Sequence, residues 1–136
     1  MVERLKQQLG PIFEGQPCIV AAYLFGSYAE GYVTTRSDID LALVFGEDIP
    51  FREELRLAAM LDLALEVSAV DVVNLNRAPL SLRHRVLLQG VLLYERDPIK
   101  HATFIEETIV RYLDFVPTLE LFHREFDASV EEAYAL

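Results

Sequence analysis

Three aspartates carry the chemistry that this sequence is equipped for. Asp38 and Asp40 stand two residues apart at the head of an apolar run, Asp38 to Phe45 (DIDLALVF). If that run is a strand, its alternation turns both carboxylates to one face and Ile39, Leu41, Leu43 and Phe45 to the other. Carboxylates held side by side repel, and a hard divalent cation is the simplest remedy, because Mg²⁺ takes carboxylate oxygens, water and substrate phosphates. Asp71 lies in another apolar run, Ser68 to Leu75 (SAVDVVNL), between Val70 and Val72-Val73. An acid among valines is costly unless it sits at a strand end, is hydrogen-bonded or binds metal. Three such groups on adjoining strands suit two metal ions ~3.5–4 Å apart, the arrangement used for in-line phosphoryl and nucleotidyl transfer. Gly26-Ser27 supplies a second half. A glycine where a strand ends lets backbone N–H groups approach a phosphate, and the serine hydroxyl can bond to a phosphate or its metal. Gly31 keeps the following turn open. Each feature is weak alone, and the combination is far rarer.

The elements that must position these groups follow from hydrophobic spacing. Val2, Leu5, Leu9 and Ile12 recur every three to four residues, which predicts a helix over Val2 to Phe13 that ends or bends at Gly10-Pro11. Pro17 to Phe25 (PCIVAAYLF) is a nearly continuous apolar run and predicts a buried strand stopping at Gly26-Ser27. A polar loop leads to the strand from Asp38 to Phe45. Pro50 to Leu65 is rich in helix formers, with Pro at the start where a missing N–H costs nothing. A third strand spans Ser68 to Leu75, a short helix Pro79 to Leu88 ends at Gly90, and Val91 to Tyr94 makes a fourth strand.

The remainder has helical spacing with a shift. Ile105, Ile109, Tyr112, Leu113 and Val116 share one face, while Phe115, Leu119, Phe122 and Phe126 share another, rotated by roughly 80°. Pro117 falls where they meet, which predicts a kink or a break. The second stripe either covers a neighbouring part of the core or meets another chain. The whole reads as one mixed α/β (α+β) domain, 1–136. About 1–95 form the catalytic sheet and helices and about 97–136 a C-terminal helical segment.

Composition narrows the classes. The 136 residues carry 22 Asp+Glu against 12 Lys+Arg, a net charge of −10. That balance disfavours direct nucleic-acid binding through a broad basic face. No apolar run approaches the ~20 residues that span a bilayer, and the mixed-charge N-terminus lacks a signal-peptide core. Cys18 is single, so no internal disulfide forms, and three His give no clustered ligand pattern. A small, acidic, cytoplasmic domain is expected.

Gly26-Ser27, ten intervening residues, Asp38-Ile39-Asp40 and the later Asp71 resemble the GS-x10-DxD signature of the nucleotidyltransferase superfamily, with its DNA polymerase beta-like fold. The order helix, strand, GS, strand with DxD, helix, strand with Asp is similar to the minimal nucleotidyltransferases, the MNT group. The resemblance covers nearly the whole chain and is specific in the motif region. It implies that Gly26 and Ser27 bind the triphosphate, that Asp38 and Asp40 ligate Mg²⁺, and that Asp71 completes the metal and catalytic site. It also implies an antitoxin that transfers AMP from ATP to a tyrosine of a cognate HEPN-domain toxin. Where many relatives carry Arg or Lys after the GS pair, this chain has Glu30, which leaves Arg36 as the nearest basic side chain.

Two rival readings stand beside this one. A small-molecule acceptor would ordinarily need an extra helical domain, and the chain is short for one. A non-catalytic antitoxin acting by occlusion would have no use for three carboxylates. Self-association is left open. His84, between Arg83 and Arg85, reads as part of a solvated face; His101 and His123 lack ligand partners at helical spacing. Cys18 reads as a small core residue, Tyr28 and Tyr32 as loop tyrosines, and Glu125, Asp127, Glu131 and Glu132 as solubilising.

Overall fold

Alternation along two central strands sets the architecture. The computed structural model describes residues 2–26, 39–65 and 70–134, the side chains of 119 and 126–134 excepted. Strands β1 (Ile19–Phe25) and β2 (Ile39–Phe45) pair antiparallel at the centre of a four-stranded sheet. β3 (Val70–Asn74) runs parallel to β2, and β4 (Val91–Glu95) antiparallel to β1, giving the order β3-β2-β1-β4. The sheet is therefore mixed, with two antiparallel pairings and one parallel. Helix α1 is Val2–Glu14, α2 is Phe51–Leu65, α3 is Leu80–Gln89 and α4 is Pro98–Tyr134.

Each face of the sheet has its own core. Ile39, Leu41, Leu43 and Phe45 of β2 join Ile19, Ala22 and Leu24 of β1 beneath Leu5, Leu9 and Phe13 of α1 and Leu57, Leu61 and Leu65 of α2. Ala42 and Val44 face the other way, with Val20, Ala21 and Tyr23, under Val86 of α3 and Phe104 of α4. Two helices on each side of one sheet make three layers.

Three expectations need correction. α1 continues through Pro11 to Glu14 instead of ending at Gly10-Pro11. Proline forfeits one backbone bond, and the further turn carries Phe13 into the core, where it is fully buried. α4 likewise runs through Pro117 without a break, since the turns on either side complete their own hydrogen bonds. His84 is not on a solvated face: it is half-buried and stacks on Tyr112 with ring centroids 3.7 Å apart. The first strand starts at Ile19 because Pro17 and Cys18 form the turn leading into it, where Ile19 N–H donates to the Gln16 carbonyl at 3.0 Å.

Candidate active site

The strand ends bring the candidate residues together. Asp40 is the second residue of β2, facing Phe25 across the antiparallel ladder and Asp71 across the parallel one. Residues opposite each other in a parallel pair share a face, and neighbouring strands lie about 4.8 Å apart. The two carboxylates thus rise side by side from the face that also carries Ala42 and Val44. Asp71 is exposed and Asp40 half-buried. Its place near the start of β3 leaves Asp71 open to solvent, so the burial that a valine run threatens does not arise.

Gly26 closes the third side. It follows β1 directly and has φ 76°, a backbone region that side chains other than glycine's rarely adopt. A β-carbon there would overlap Asp40 Oδ2 and lie 3.3 Å from Cγ. Glycine is therefore required on two counts: the turn out of β1 and the room taken by the Asp40 carboxylate. Ser27 and Asp38, together with Tyr28, Glu30, Gly31, Tyr32 and Arg36, lie outside the described residues. Among the described residues, no group of three or more His, Cys, Asp or Glu converges as a metal site. Asp40 and Asp71, opposite each other in the ladder, offer carboxylate oxygens, the hard donor type that Mg²⁺ accepts.

A network that sequence spacing does not disclose braces the same face. Tyr23 pairs with Ala42, two ladder positions from Asp40, and its hydroxyl bonds to His101 Nε2. His101 is buried, and its Nδ1 bonds to Glu95. With Nδ1–H donating to the carboxylate, Nε2 accepts from the tyrosine hydroxyl. Burial, and then the Glu95 charge, push the Tyr23 hydroxyl up to about 12. This chain of bonds fastens α4 to β1 and β4. The only sequence signal for it is a tyrosine inside an apolar strand. Cys18 is half-buried against the α1/α2 core, and burial raises its thiol pKa, as suits a packing residue.

The far end of the sheet is held by arginines. Arg96 donates to the carbonyls of Ile19, Phe13 and Glu14, so a cation meets the carbonyl end of α1. Arg83 donates to Ala78 and Asn76, tying α3 to the turn after β3.

The sequence and the fold are similar to those of known proteins. A family model described as polymerase beta, nucleotidyltransferase matches residues 7–99, which include Gly26, Asp40 and Asp71. The protein adenylyltransferase MntA of Shewanella oneidensis is 37% identical over 78 residues. That match takes in 57% of this chain and 55% of the relative, so the chain spans about half the length of that curated protein. A solved toxin–antitoxin with AMP-PNP is 27% identical with a TM-score of 0.77, covering 89% of this chain and 97% of the solved one. A mutant of the toxin–antitoxin MntA–HpeT is 28% identical with a TM-score of 0.70, covering 91% and 95% respectively. Both structural likenesses extend into α4, whereas the family model stops at its first turn.

Proposed function

The chain belongs to the polymerase beta nucleotidyltransferase family, and from that premise we propose that it is a Mg²⁺-dependent protein adenylyltransferase, an antitoxin that moves AMP from ATP to a tyrosine of a cognate HEPN toxin. The observation that carries this reading is the in-register pair Asp40 and Asp71 beside the glycine that ends β1. The named activity of the Shewanella relative and the AMP-PNP in the solved toxin–antitoxin support the transferred group and its donor. The toxin–antitoxin likenesses support a protein acceptor.

In this reading Asp38 and Asp40 hold the metal, with Asp71 completing the set. Bound there, Mg²⁺ supplies charge neutralisation at the phosphates and lowers the pKa of the attacking hydroxyl. The chain's own groups do the rest. Gly26 and Ser27 hold the triphosphate with a backbone N–H and a hydroxyl. Asp71 directs the acceptor tyrosine and takes its proton, help that a phenol of pKa ~10 needs at neutral pH. The tyrosine oxygen bonds to the α-phosphorus as the bond from that phosphorus to the bridging oxygen breaks, and pyrophosphate leaves. Residues about 1–95 do this chemistry, and about 97–136 form a helical segment that serves the partner. ATP as donor and a toxin as acceptor place the reaction in the cytoplasm.

The test is intact-mass spectrometry of the proposed HEPN toxin partner, incubated with ATP, Mg²⁺ and either wild type or Asp38→Ala. Added AMP units with wild type alone are expected. A stable complex with both variants and no mass change would replace transfer by occlusion.

A further inference from the structure

Helix α4 has more apolar surface than its own domain can cover. At ~1.5 Å per residue its 37 residues extend about 55 Å. The first turns are well used. His101 and Thr108 are buried, Phe104 packs on the sheet, and Tyr112 stacks on His84. Ile105 and Ile109, with His84, Leu87 and Leu88 of α3, enclose a pocket of about 100 Å³. Beyond that point the apolar side chains of the helix lie open. Leu113 is 63% exposed, Leu121 52% and Phe122 62%, and Val110 and Phe115 are exposed with them.

These side chains are not scattered. At ~100° per residue, Ile109, Val110, Leu113 and Leu121 fall within an arc of about 120°, while Phe115 and Phe122 prolong the side that the domain covers earlier. A helix apolar on both sides belongs between two surfaces, and exposed apolar area on this scale marks an interaction site. The nucleotidyltransferase match ends at residue 99, so the reaction itself does not call for the exposed portion.

Charge selects the occupant. From residue 110 onward α4 carries Arg111 and Arg124 against Asp114, Glu120, Glu125, Asp127, Glu131 and Glu132, a balance of 2 − 6 = −4, within a chain of net charge −10. A second copy would bring like charge to like, which opposes docking. A partner helix whose apolar stripe is rimmed with Lys and Arg meets attraction instead.

We infer that the α4 face from Ile109 to Phe122, with the pocket between α3 and α4, docks an amphipathic, basic-rimmed helix of the acceptor protein. The identity of that acceptor as the cognate toxin rests on the function proposed above. An aliphatic or aromatic anchor from the partner fills the α3/α4 pocket, and the helix lies along α4 beyond it.

The experiment measures affinity for the same purified HEPN toxin partner by calorimetry, with light scattering of each chain alone. The double variant Leu113→Glu/Leu121→Glu changes only exposed positions and is expected to bind at least 30-fold more weakly. Its melting temperature and its affinity for Mg²⁺–ATP should match wild type. Glu120→Lys/Glu125→Lys, which changes charge and none of the exposed apolar side chains, should weaken binding several-fold and flatten its salt dependence. Unchanged affinity in the first variant would overturn the assignment. So would a wild-type chain that is dimeric alone and becomes monomeric in that variant, because the second copy would then be the occupant. The two proposals fail separately. Wild type that binds through α4 and adds no AMP sinks the transferase reading alone. AMP addition at an unchanged KM in the double variant sinks the docking surface alone.

Discussion

The carboxylate of Asp40 occupies the space that any side chain at residue 26 would need. A β-carbon on Gly26 overlaps Asp40 Oδ2 and sits 3.3 Å from Cγ, and the backbone there has φ 76°. Strand end and carboxylate are therefore fitted to each other. Gly26→Ala must either turn the Asp40 carboxylate away or shift the end of β1. Transfer should fall by roughly 10²-fold, the scale of losing one oriented electrostatic group, with about 1–2 kcal/mol lost from stability through backbone strain. Paired transfer assays and urea melts check both figures. Wild-type activity in Gly26→Ala would show that the close approach is dispensable.

Asp40 and Asp71 oppose each other in the parallel ladder between β2 and β3. Asparagine keeps the shape of each and removes the charge. Asp40→Asn and Asp71→Asn should each lower transfer by roughly 10²-fold or more. Asp71 is exposed, so its replacement should leave stability within about 0.5 kcal/mol of wild type. Initial rates of AMP incorporation, measured with thermal melts of the same samples, give the answer. An active Asp71→Asn enzyme would remove that residue from the proton-transfer role.

Much of this arrangement was legible in the sequence because its physics is local. Period-two alternation placed Ile39, Leu41, Leu43 and Phe45 on one face of β2, and they do form the α1/α2 core. Among the described residues, the apolar runs marked each of the four strands and the spacing marked each helix, to within a few residues. Of the two outcomes expected at each proline, a helix end does not occur, because Pro11 and Pro117 each remove one backbone bond from helices that continue past them. His84 and His101 were also opaque. Their partners, Tyr112 on α4 and Tyr23 on β1, lie 28 and 78 positions away, and only the folded packing of α4 brings them together. At the site, the aspartate spacing announced Asp40 and Asp71, whereas the tight fit of Gly26 against Asp40 depends on where β1 ends.

Tyr23 predicts an alkaline signature. Its hydroxyl is held neutral to about 12, chiefly by burial, against 10.0 for a free tyrosine. Below pH 10 both folded and unfolded chains keep the proton, so the hydroxyl adds no pH dependence. Between about 10 and 12 the unfolded chain releases it and the folded chain does not, so stability falls as pH rises through that window. Tyr23→Phe removes this component while leaving the His101 imidazole without its hydroxyl partner. The variant should be less stable at pH 7, by about 1–3 kcal/mol for a broken buried hydrogen bond, and should lose less between pH 10 and 12. Urea midpoints across that range decide it. Parallel losses in both proteins would mean that Tyr23 ionises like a solvent-exposed tyrosine.

Asn76 extends the sheet past the end of β3 by imitating a strand. Its side-chain amide donates to the Phe45 carbonyl at 2.8 Å, and the Phe45 N–H donates back to Asn76 Oδ1 at 2.8 Å. The preceding Leu75 N–H still bonds to the Leu43 carbonyl at 2.9 Å, so the amide takes over where the backbone ladder stops. Asn76→Ala leaves both Phe45 groups without these partners in a half-buried setting, at a cost of about 1–3 kcal/mol. Asn76→Asp keeps the acceptor for the Phe45 N–H but sets a carboxylate oxygen against the Phe45 carbonyl, so it should be at least as destabilising. Phe45 ends β2 and Asp40 lies near its start, so neither variant should change the rate of transfer in protein that remains folded. Urea titrations and transfer assays on one set of samples separate these effects. Equal stability in Asn76→Ala would mean that water replaces both bonds, and a lost transfer rate would mean that strain at the far end of β2 reaches the carboxylates.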